Sequence, residues 1–459
     1  MLTRLRVGNF KAWKDTGTME LAPITVFFGS NSSGKTSLLQ LLLMLKQTAD
    51  SADRNQVLNL GDERSLVDLG SFQDIVYAHD LEATLKWKIG WKLLEPLKIE
   101  DPMQSRSTLF SDDALVFTAL IGYRRKRGGL ARAFVERMSY QLAGRTFSMQ
   151  PISASKPAEY GLKVEPEDDD FRFIRTRGRV WQLPHPAKCY GFPDQVRAYF
   201  QNAGFLSDLE FEFEELCDRI FYLGLFREYP KRQYSWSGAQ PTDMGRRGER
   251  VVDAILASRE AGVLYSLGQG QRRQTLEERV AHWLKELGLI HSFRVSPIKR
   301  GSKFHEVWVK RLSRGPEVLI ADVGFGVSQI LPVITLCYYV PEGSIIILEQ
   351  PEIHLHPAVQ AGLADVLIDA VNSRNIQIIL ESHSEHFLHR LQRRIAEEKL
   401  PAEDAALYFC SKQRGKSVAV PLELDSFGTI ANWPKDFFGD TFGEIAATQE
   451  AILRRKSGT

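Results

Sequence analysis

The sequence predicts an α/β fold: a core of parallel strands, split by a large mixed α+β insertion and followed by a small C-terminal extension. Three observations carry this. The apolar run Val26-Phe27-Phe28 enters the glycine-bounded loop Gly29-Ser30-Asn31-Ser32-Ser33-Gly34-Lys35-Thr36, which opens the leucine-rich stretch Ser37–Leu45. A turn at Pro341-Glu342-Gly343 precedes the unbroken apolar run Ile345–Leu348, which ends in Glu349, as expected of a strand buried on both faces. A second such run, Ile376 to Leu380, ends at Glu381-Ser382-His383-Ser384.

The chain has 459 residues, enough for two or three domains' worth of core. It is 43% hydrophobic and 25% charged with a formal net charge of +2, so binding to nucleic acid would need local patches rather than a global field. Cys189, Cys217, Cys337 and Cys410 are far apart, with no C-x-x-C pair, and read as reduced thiols rather than a disulfide frame or zinc site. The N-terminus alternates like a strand and is no signal peptide. The apolar stretch Ile330–Val340 is too short to span a bilayer, so the expectation is a soluble cytoplasmic protein without membrane contact.

In chain order, Leu2–Phe10 and Thr18–Phe28 read as strands, followed by a helix to about Lys46. Leu66–Tyr77 is turn-rich. Leu81–Trp91, Ala114–Arg124 and Phe171–Trp181 alternate like antiparallel strands with one wet face, and Asp168-Asp169-Asp170 marks a surface loop. Helical periodicity runs over Phe192–Phe226 and Glu249–Leu287. Between them lies Tyr222–Gly238, rich in aromatics, arginine and glycine. Strands are expected at Phe293–Pro297 and Val307–Leu312.

The loop has the G-x-x-x-x-G-K-[ST] spacing of a phosphate-binding loop. Its glycines let backbone N–H groups curl round an anion, and the helix N-terminus adds positive potential. Gly29, Asn31, Ser32, Ser33, Gly34, Lys35, Thr36 and Ser37 are the candidate nucleotide contacts. Lys35 is expected to reach the β- and γ-phosphates of ATP, and the Thr36 hydroxyl to hold Mg²⁺. Glu349, at the C-terminal end of a buried strand, is the candidate metal-linked acid. His383 lies just past a strand end, within reach of a γ-phosphate. His386 and His389 follow at helical spacing, but without nearby Cys or paired carboxylates they are not read as a zinc site. Gly324-Phe325-Gly326-Val327-Ser328-Gln329 leads into an apolar helix and is a second candidate anion site.

These pieces, in this order, resemble an ABC-type ATPase head of the SMC, RecF and overcoming-lysogenization-defect-like group. The chain is more closely similar to bacterial AAA-family ATPases that serve as subunits of phage-defence systems such as Septu. The resemblance covers residues 1–80 and 318–390 best. It also takes in Asn9-Phe10-Lys11-Ala12-Trp13, Tyr222–Gly238 and Gly245–Glu249. Asn432–Asp440 resembles a small C-terminal domain of unknown function in such ATPases.

The resemblance implies that Gly29–Thr36 is the Walker A loop, Ile345–Glu349 the Walker B strand, Gly324–Gln329 the signature motif and His383 the switch histidine. It makes Gln73 the candidate Q-loop glutamine. The parts become 1–90 (head with Walker A), 91–315 (insertion, partner surface), 316–400 (signature, Walker B, switch) and 401–459 (extension). It also implies a head-to-tail homodimer on ATP, with each signature serine meeting the partner's γ-phosphate. Two departures matter: Glu349 stands where Asp is usual, and Gln350 where the water-activating Glu is usual. Glutamine can orient water but not take its proton, so either Glu352 is the base or hydrolysis is slow.

No acidic triad of a nuclease is visible in the tail, so any cutting would fall to a separate effector protein. The leading expectation is a slow ATPase that acts as sensor for an effector in phage defence. The others are a RecF-like ATPase acting on DNA and a largely non-hydrolysing scaffold held by ATP. For DNA, the basic groups Arg124–Arg127, Arg172 to Arg179, and Arg246-Arg247 with Arg250 are the candidate phosphate contacts.

Overall fold

The computed structural model describes residues 1–457 except 101–107, 126–130, 154–155, 168–170, 179–181, 266–271, 436 and 440. The chain opens with β1 (Leu2–Phe10), β2 (Trp13–Asp15) and β3 (Met19–Glu20). Next come β4 (Ile24–Gly29), α1 (Lys35–Asp50) and the short α2 (Phe72–Ile75). A run of antiparallel strands follows: β5 (Leu85–Glu100), β6 (Thr108–Arg125), β7 (Ala131–Leu142), β8 (Arg145–Ser153) and β9 (Lys156–Glu165). Helices α3 (Gln195–Tyr199) and α4 (Leu206–Asp218) lead into β10 (Ile220–Leu223) and β11 (Tyr234–Ser235). Then come α5 (Val251–Glu260), α6 (Leu276–Glu286), β12 (Ser292–Pro297), β13 (Phe304–Lys310) and β14 (Glu317–Leu319). Alternating elements follow: α7 (Phe325–Tyr339), β15 (Ile345–Glu349), α8 (Pro357–Arg374), β16 (Gln377–Glu381) and α9 (Glu385–Ala396). The chain closes with β17 (Ala405–Gln413), β18 (Lys416–Pro421) and α10 (Thr441–Ser457).

The central sheet has the order β10-β15-β16-β4-β17-β18. Its first five strands are parallel and β18 returns antiparallel. Every residue of β4, β15 and β16 is buried. Side chains alternate across a strand, so the continuous apolar runs serve two cores at once. Phe27, Ile345, Ile347 and Ile379 join the core shared with α1 and the antiparallel sheet. Val26, Phe28, Ile346, Leu348, Ile378 and Leu380 join the core shared with α5 to α9. The antiparallel sheet has the order β2-β1-β5-β6-β7-β8-β9, with β3 on β1. The small third sheet has the order β11-β13-β12, with β14 on β13.

Several local readings change. The helix after the loop is longer than expected, Lys35–Asp50. The span from Thr18 to Phe28 breaks into β3 and β4 around Pro23, which has no N–H to give a ladder. Among the described residues, 171–178 form no strand but one isolated bridge, Arg175 to Phe200. The alternation there reflects aromatic packing, with the Phe171 ring 5.2 Å from Phe110 and 5.7 Å from Phe205. Asp168-Asp169-Asp170, Arg179 and Trp181 lie outside the described residues. The helical stretch expected over Phe192–Phe226 contains α3, α4 and then the strand β10, which pairs in parallel with β15. The central sheet thus draws β10 from within the 91–315 segment and β17 from beyond residue 400.

Gln377 ties the two larger sheets together. Its buried amide accepts from the Leu2 N–H (2.8 Å) and donates to the carbonyls of Leu2 (2.8 Å) and Ala22 (3.0 Å). Gln377→Leu removes all three bonds. At about 1 kcal/mol each, the unfolding free energy is expected to fall by about 3 kcal/mol. Urea unfolding reads this directly, and a wild-type midpoint would show that the amide is not a staple.

Candidate functional site

The loop between β4 and α1 sits at the C-terminal edge of the parallel sheet, where open α/β sheets bind ligands. Gly29 has φ 135°, and a Cβ there would lie 1.9 Å from the carbonyl oxygen of Cys410 on β17. Gly34 has φ 98°, and a Cβ there would meet the Trp13 indole, whose Nε1 donates to the Gly34 carbonyl at 3.0 Å. Both positions therefore require glycine. Helix α1 starts with no side-chain cap and no acid in its first turn, so its N–H groups remain donors for an anion. Ser30, Asn31 and Ser32 are exposed, while Ser33, Lys35 and Ser37 are buried. The Ser33 hydroxyl is buried without a partner. The Lys35 amine donates to the carbonyls of Gly29 (3.0 Å) and Ser30 (2.9 Å), which holds it at the mouth of its own loop. Burial pulls it below the usual lysine range, and the Glu381 carboxylate opposes this.

Glu349 and Glu381 end adjacent strands in register. The Glu349 carboxylate takes a hydrogen bond from the Tyr222 hydroxyl (2.9 Å). Burial pushes its pKa up, and the Glu381 charge adds to this. The Thr36 hydroxyl donates to Glu381 Oε2 at 2.7 Å. Strand order brings this about, because β16 lies between β4 and β15. Gln350, with φ 39°, donates from its backbone N–H to the Glu381 carbonyl (3.1 Å) and from Nε2 to Glu381 Oε1 (3.4 Å).

Glu352 is buried and engaged by the loop that follows β16. Its Oε1 accepts from the Ser382 hydroxyl (2.8 Å) and the His383 N–H (2.7 Å), and its Oε2 is buried without a partner. It therefore pins the loop that carries His383. The half-buried His383 is kept below the ordinary histidine pKa by burial and by the Lys35 charge, so its ring is neutral at neutral pH.

The signature stretch lies differently from its reading as a loop before a helix. Helix α7 already starts at Phe325, which puts Gly326, Ser328 and Gln329 inside it. Gly324 is exposed, whereas Ser328 is 6% and Gln329 3% exposed. Gln73 lies in α2 with its side chain exposed, and its carbonyl pairs with His79 Nδ1 at 2.9 Å.

Three residues of this edge are not singled out by motif reading: Tyr222, Arg227 and Glu381. Glu381 carries the same signal as Glu349, an acid closing a buried strand. Arg227 is 4% exposed and donates to the Glu349 carbonyl at 3.4 Å, while its Nε and Nη1 are buried without partners. Burial lowers its pKa to about 10. Among the described residues, no group of three or more His, Cys, Asp or Glu is arranged to hold a metal. No described helix is long and apolar enough to cross a membrane.

The basic groups are partly engaged within the chain. Arg246 donates to the carbonyls of Ser65 and Glu63 at 2.9 Å each, and Arg250 pairs with Asp243 at 3.7 Å. Arg124 lies over the Phe134 ring at 4.5 Å, and Lys126 and Arg127 are outside the described residues.

Residues 1–95 and 272–388 match the AAA ATPase domain family. Residues 400–447 match a family described as Protein of unknown function (DUF3696). No curated protein sequence matches the chain. An SMC head bound to the C-winged helix domain of ScpA overlays with TM-score 0.44 and 11% identity, covering 92% of this chain and 98% of that one. The SMC head domain from Thermotoga maritima gives 0.39 and 10%, covering 92% and 99%. An SMC head with an extended coiled coil, bound to the C-terminal domain of ScpA and derived from Pyrococcus furiosus, gives 0.41 and 11%, covering 92% and 96%. The phosphate loop on a parallel sheet, together with the AAA ATPase domain match over residues 1–95 and 272–388, gives this chain a P-loop ATPase fold.

A pH-dependent expectation follows for Glu352. Burial raises its pKa in the fold above the unfolded value, with the bonds from the His383 loop opposing. A raised acid contributes stability below its unfolded pKa and loses it as pH rises through the folded one. Glu352→Gln keeps an acceptor for Ser382 and His383 and removes the charge. Its melting temperature is expected to match the wild type near pH 4 and to exceed it increasingly as pH rises toward 8. A variant that melts lower at pH 8 would show that the charge itself holds the loop.

Proposed function

We propose that the chain is a slow, ATP-gated switch: it binds Mg²⁺–ATP at Gly29–Thr36, dimerises head to tail on it, and controls a separate effector. The observation that carries this is Gln350, which occupies the place of a general base, together with the engagement of Glu352 by Ser382 and His383. The residues fit the nucleotide. The uncapped start of α1 and the buried, unpartnered Ser33 hydroxyl suit phosphate oxygens, and Lys35 has only carbonyls to give up. Thr36 with Glu349 would hold Mg²⁺, which would supply charge neutralisation to the phosphates. Gln350 orients the attacking water without taking its proton. Neutral His383 offers a ring N–H toward the γ-phosphate. In this reading Gly324, Gly326, Ser328 and Gln329 face the nucleotide of a second copy, and α7 must shift or open for the buried Ser328 to reach it. The phage-defence setting rests on the family resemblance.

The test is ATP turnover with size analysis for wild type, Gln350→Glu and Lys35→Ala. The wild type is expected to turn over below about 1 s⁻¹ and to form a dimer on ATP. Gln350→Glu is expected to speed turnover by about 100-fold, the lower end of what a positioned base contributes. Lys35→Ala is expected to abolish both dimer and turnover. Brisk wild-type turnover that is lost in Glu352→Gln would overturn the slow-switch reading and make Glu352 the base.

A further inference from the structure

Two acids close the central strands, and they are not equivalent. Glu381 ends β16 opposite Phe27 of β4, whereas Glu349 ends β15, one strand further from the phosphate loop. Neighbouring strands are about 4.8 Å apart. Strand parity puts both acids on the face that carries Phe27, Ile347 and Ile379, the face packed against α1. Thr36 stands in the first turn of that helix.

Both oxygens of Glu381 point into the site. Oε2 takes the Thr36 hydroxyl at 2.7 Å, and Oε1 faces Gln350 Nε2 at 3.4 Å. The residue is 2% exposed. Its described hydrogen-bond partners are neutral, since the nearby Lys35 amine bonds to the carbonyls of Gly29 and Ser30 instead. Glu349 beside it is likewise held by a tyrosine hydroxyl. Two buried carboxylates side by side repel each other. Lys35 lies near Glu381 and Arg227 near Glu349, but both bond backbone carbonyls rather than the carboxylate oxygens, which leaves those oxygens for a further cation. Mg²⁺ is the hard cation that this site's chemistry brings in. It binds through one or two carboxylates plus substrate phosphates and retained water rather than in an all-protein cage.

We infer that Glu381 is a carboxylate of the Mg²⁺ site, acting with Thr36 on the metal side of the nucleotide, and that Glu349 stands behind it as the second acid. This rests on the Mg²⁺–ATP reading above. Glu381 positions the ion or its bound water, while Gln350, bonded to the same carboxylate, is left to orient the attacking water. The hydroxyl contact to Thr36 assigns Glu381 to the metal rather than to proton removal, which would need the acid beside the water.

The experiment is equilibrium binding of a fluorescent, non-hydrolysable ATP analogue, in Mg²⁺ and in EDTA, for wild type, Glu381→Gln, Glu381→Asp and Glu349→Gln. Mn²⁺ electron paramagnetic resonance on the nucleotide-loaded protein is the second readout. Gln keeps the length of Glu381 and an acceptor for Thr36, so the fold is preserved, and circular dichroism checks it. Glu381→Gln is expected to lose about 10–100-fold in Mn²⁺ affinity, and with it the Mg²⁺-dependent tightening of nucleotide. Its affinity in EDTA is expected to match the wild type. Glu381→Asp, which keeps the charge, is expected to recover part of the metal response. A wild-type Mg²⁺ response in Glu381→Gln overturns the inference and leaves the Mg²⁺–ATP reading standing. Intact Mn²⁺ binding with abolished turnover also overturns it, and makes Glu381 the base. A wild type with no Mg²⁺-dependent nucleotide binding overturns the underlying reading and the inference with it.

Discussion

The parallel pairing of β16 with β4 on one side and β15 on the other is the constraint on which this molecule depends. Parallel strands need crossover connections and cover on both faces, so this pairing commits α1, α7, α8 and α9 to their positions. It also gathers the strand ends at one edge. The phosphate loop, Glu381 and Glu349 arrive there from positions 29, 381 and 349 of the chain. The chemistry of the site follows from this edge: α1 offers its N-terminus, and the two neighbouring strands offer acids on the same face.

The same edge concentrates charge that would be expensive elsewhere. Arg227 is buried with two nitrogen atoms unpartnered, close to Glu349 and Glu352. Burying such groups without full compensation costs several kcal/mol in a structural setting. Tyr222 and Arg227 sit just before and after the turn at Gly224, and both reach Glu349. A few residues on, Arg232 pairs with Asp322 (2.6 Å), beside the start of α7. One short stretch thus touches both the acid that ends β15 and the approach to α7.

The C-terminal segment is built into this core rather than appended to it. β17 pairs with β4, and its Cys410 carbonyl leaves no room for a side chain at Gly29. Further on, the Phe437 ring meets Phe28 edge-on at 5.7 Å, and Trp433 stacks on His389 of α9 at 6.3 Å. The carbonyl of Gly428 accepts from Gln392 of α9 at 2.8 Å. The residues matched to a family of unknown function therefore brace both the strand before the phosphate loop and the helix after His383.

Much of this was legible in the chain itself, because it depends on neighbours in sequence. The glycine spacing of residues 29–36 specifies the loop, and the unbroken apolar run Ile345–Leu348 and the run Ile376–Leu380, apolar but for Gln377, specify strands covered on both faces. That Gln rather than an acid follows Glu349 is a matter of residue identity. What only the tertiary structure decided depends on partners far apart in the chain. Local pattern does not encode strand order, so it could not show that β16 stands between β4 and β15, and hence that the Thr36 hydroxyl meets Glu381. Nor could it show that Ile220–Leu223, inside a stretch of helical period, and Ala405–Gln413, beyond the expected end of the head, complete the central sheet. Ser328 is buried because α7 begins three residues before it and packs its first turns into the core. That position is set by packing against distant elements, which the residues Gly324–Gln329 do not record.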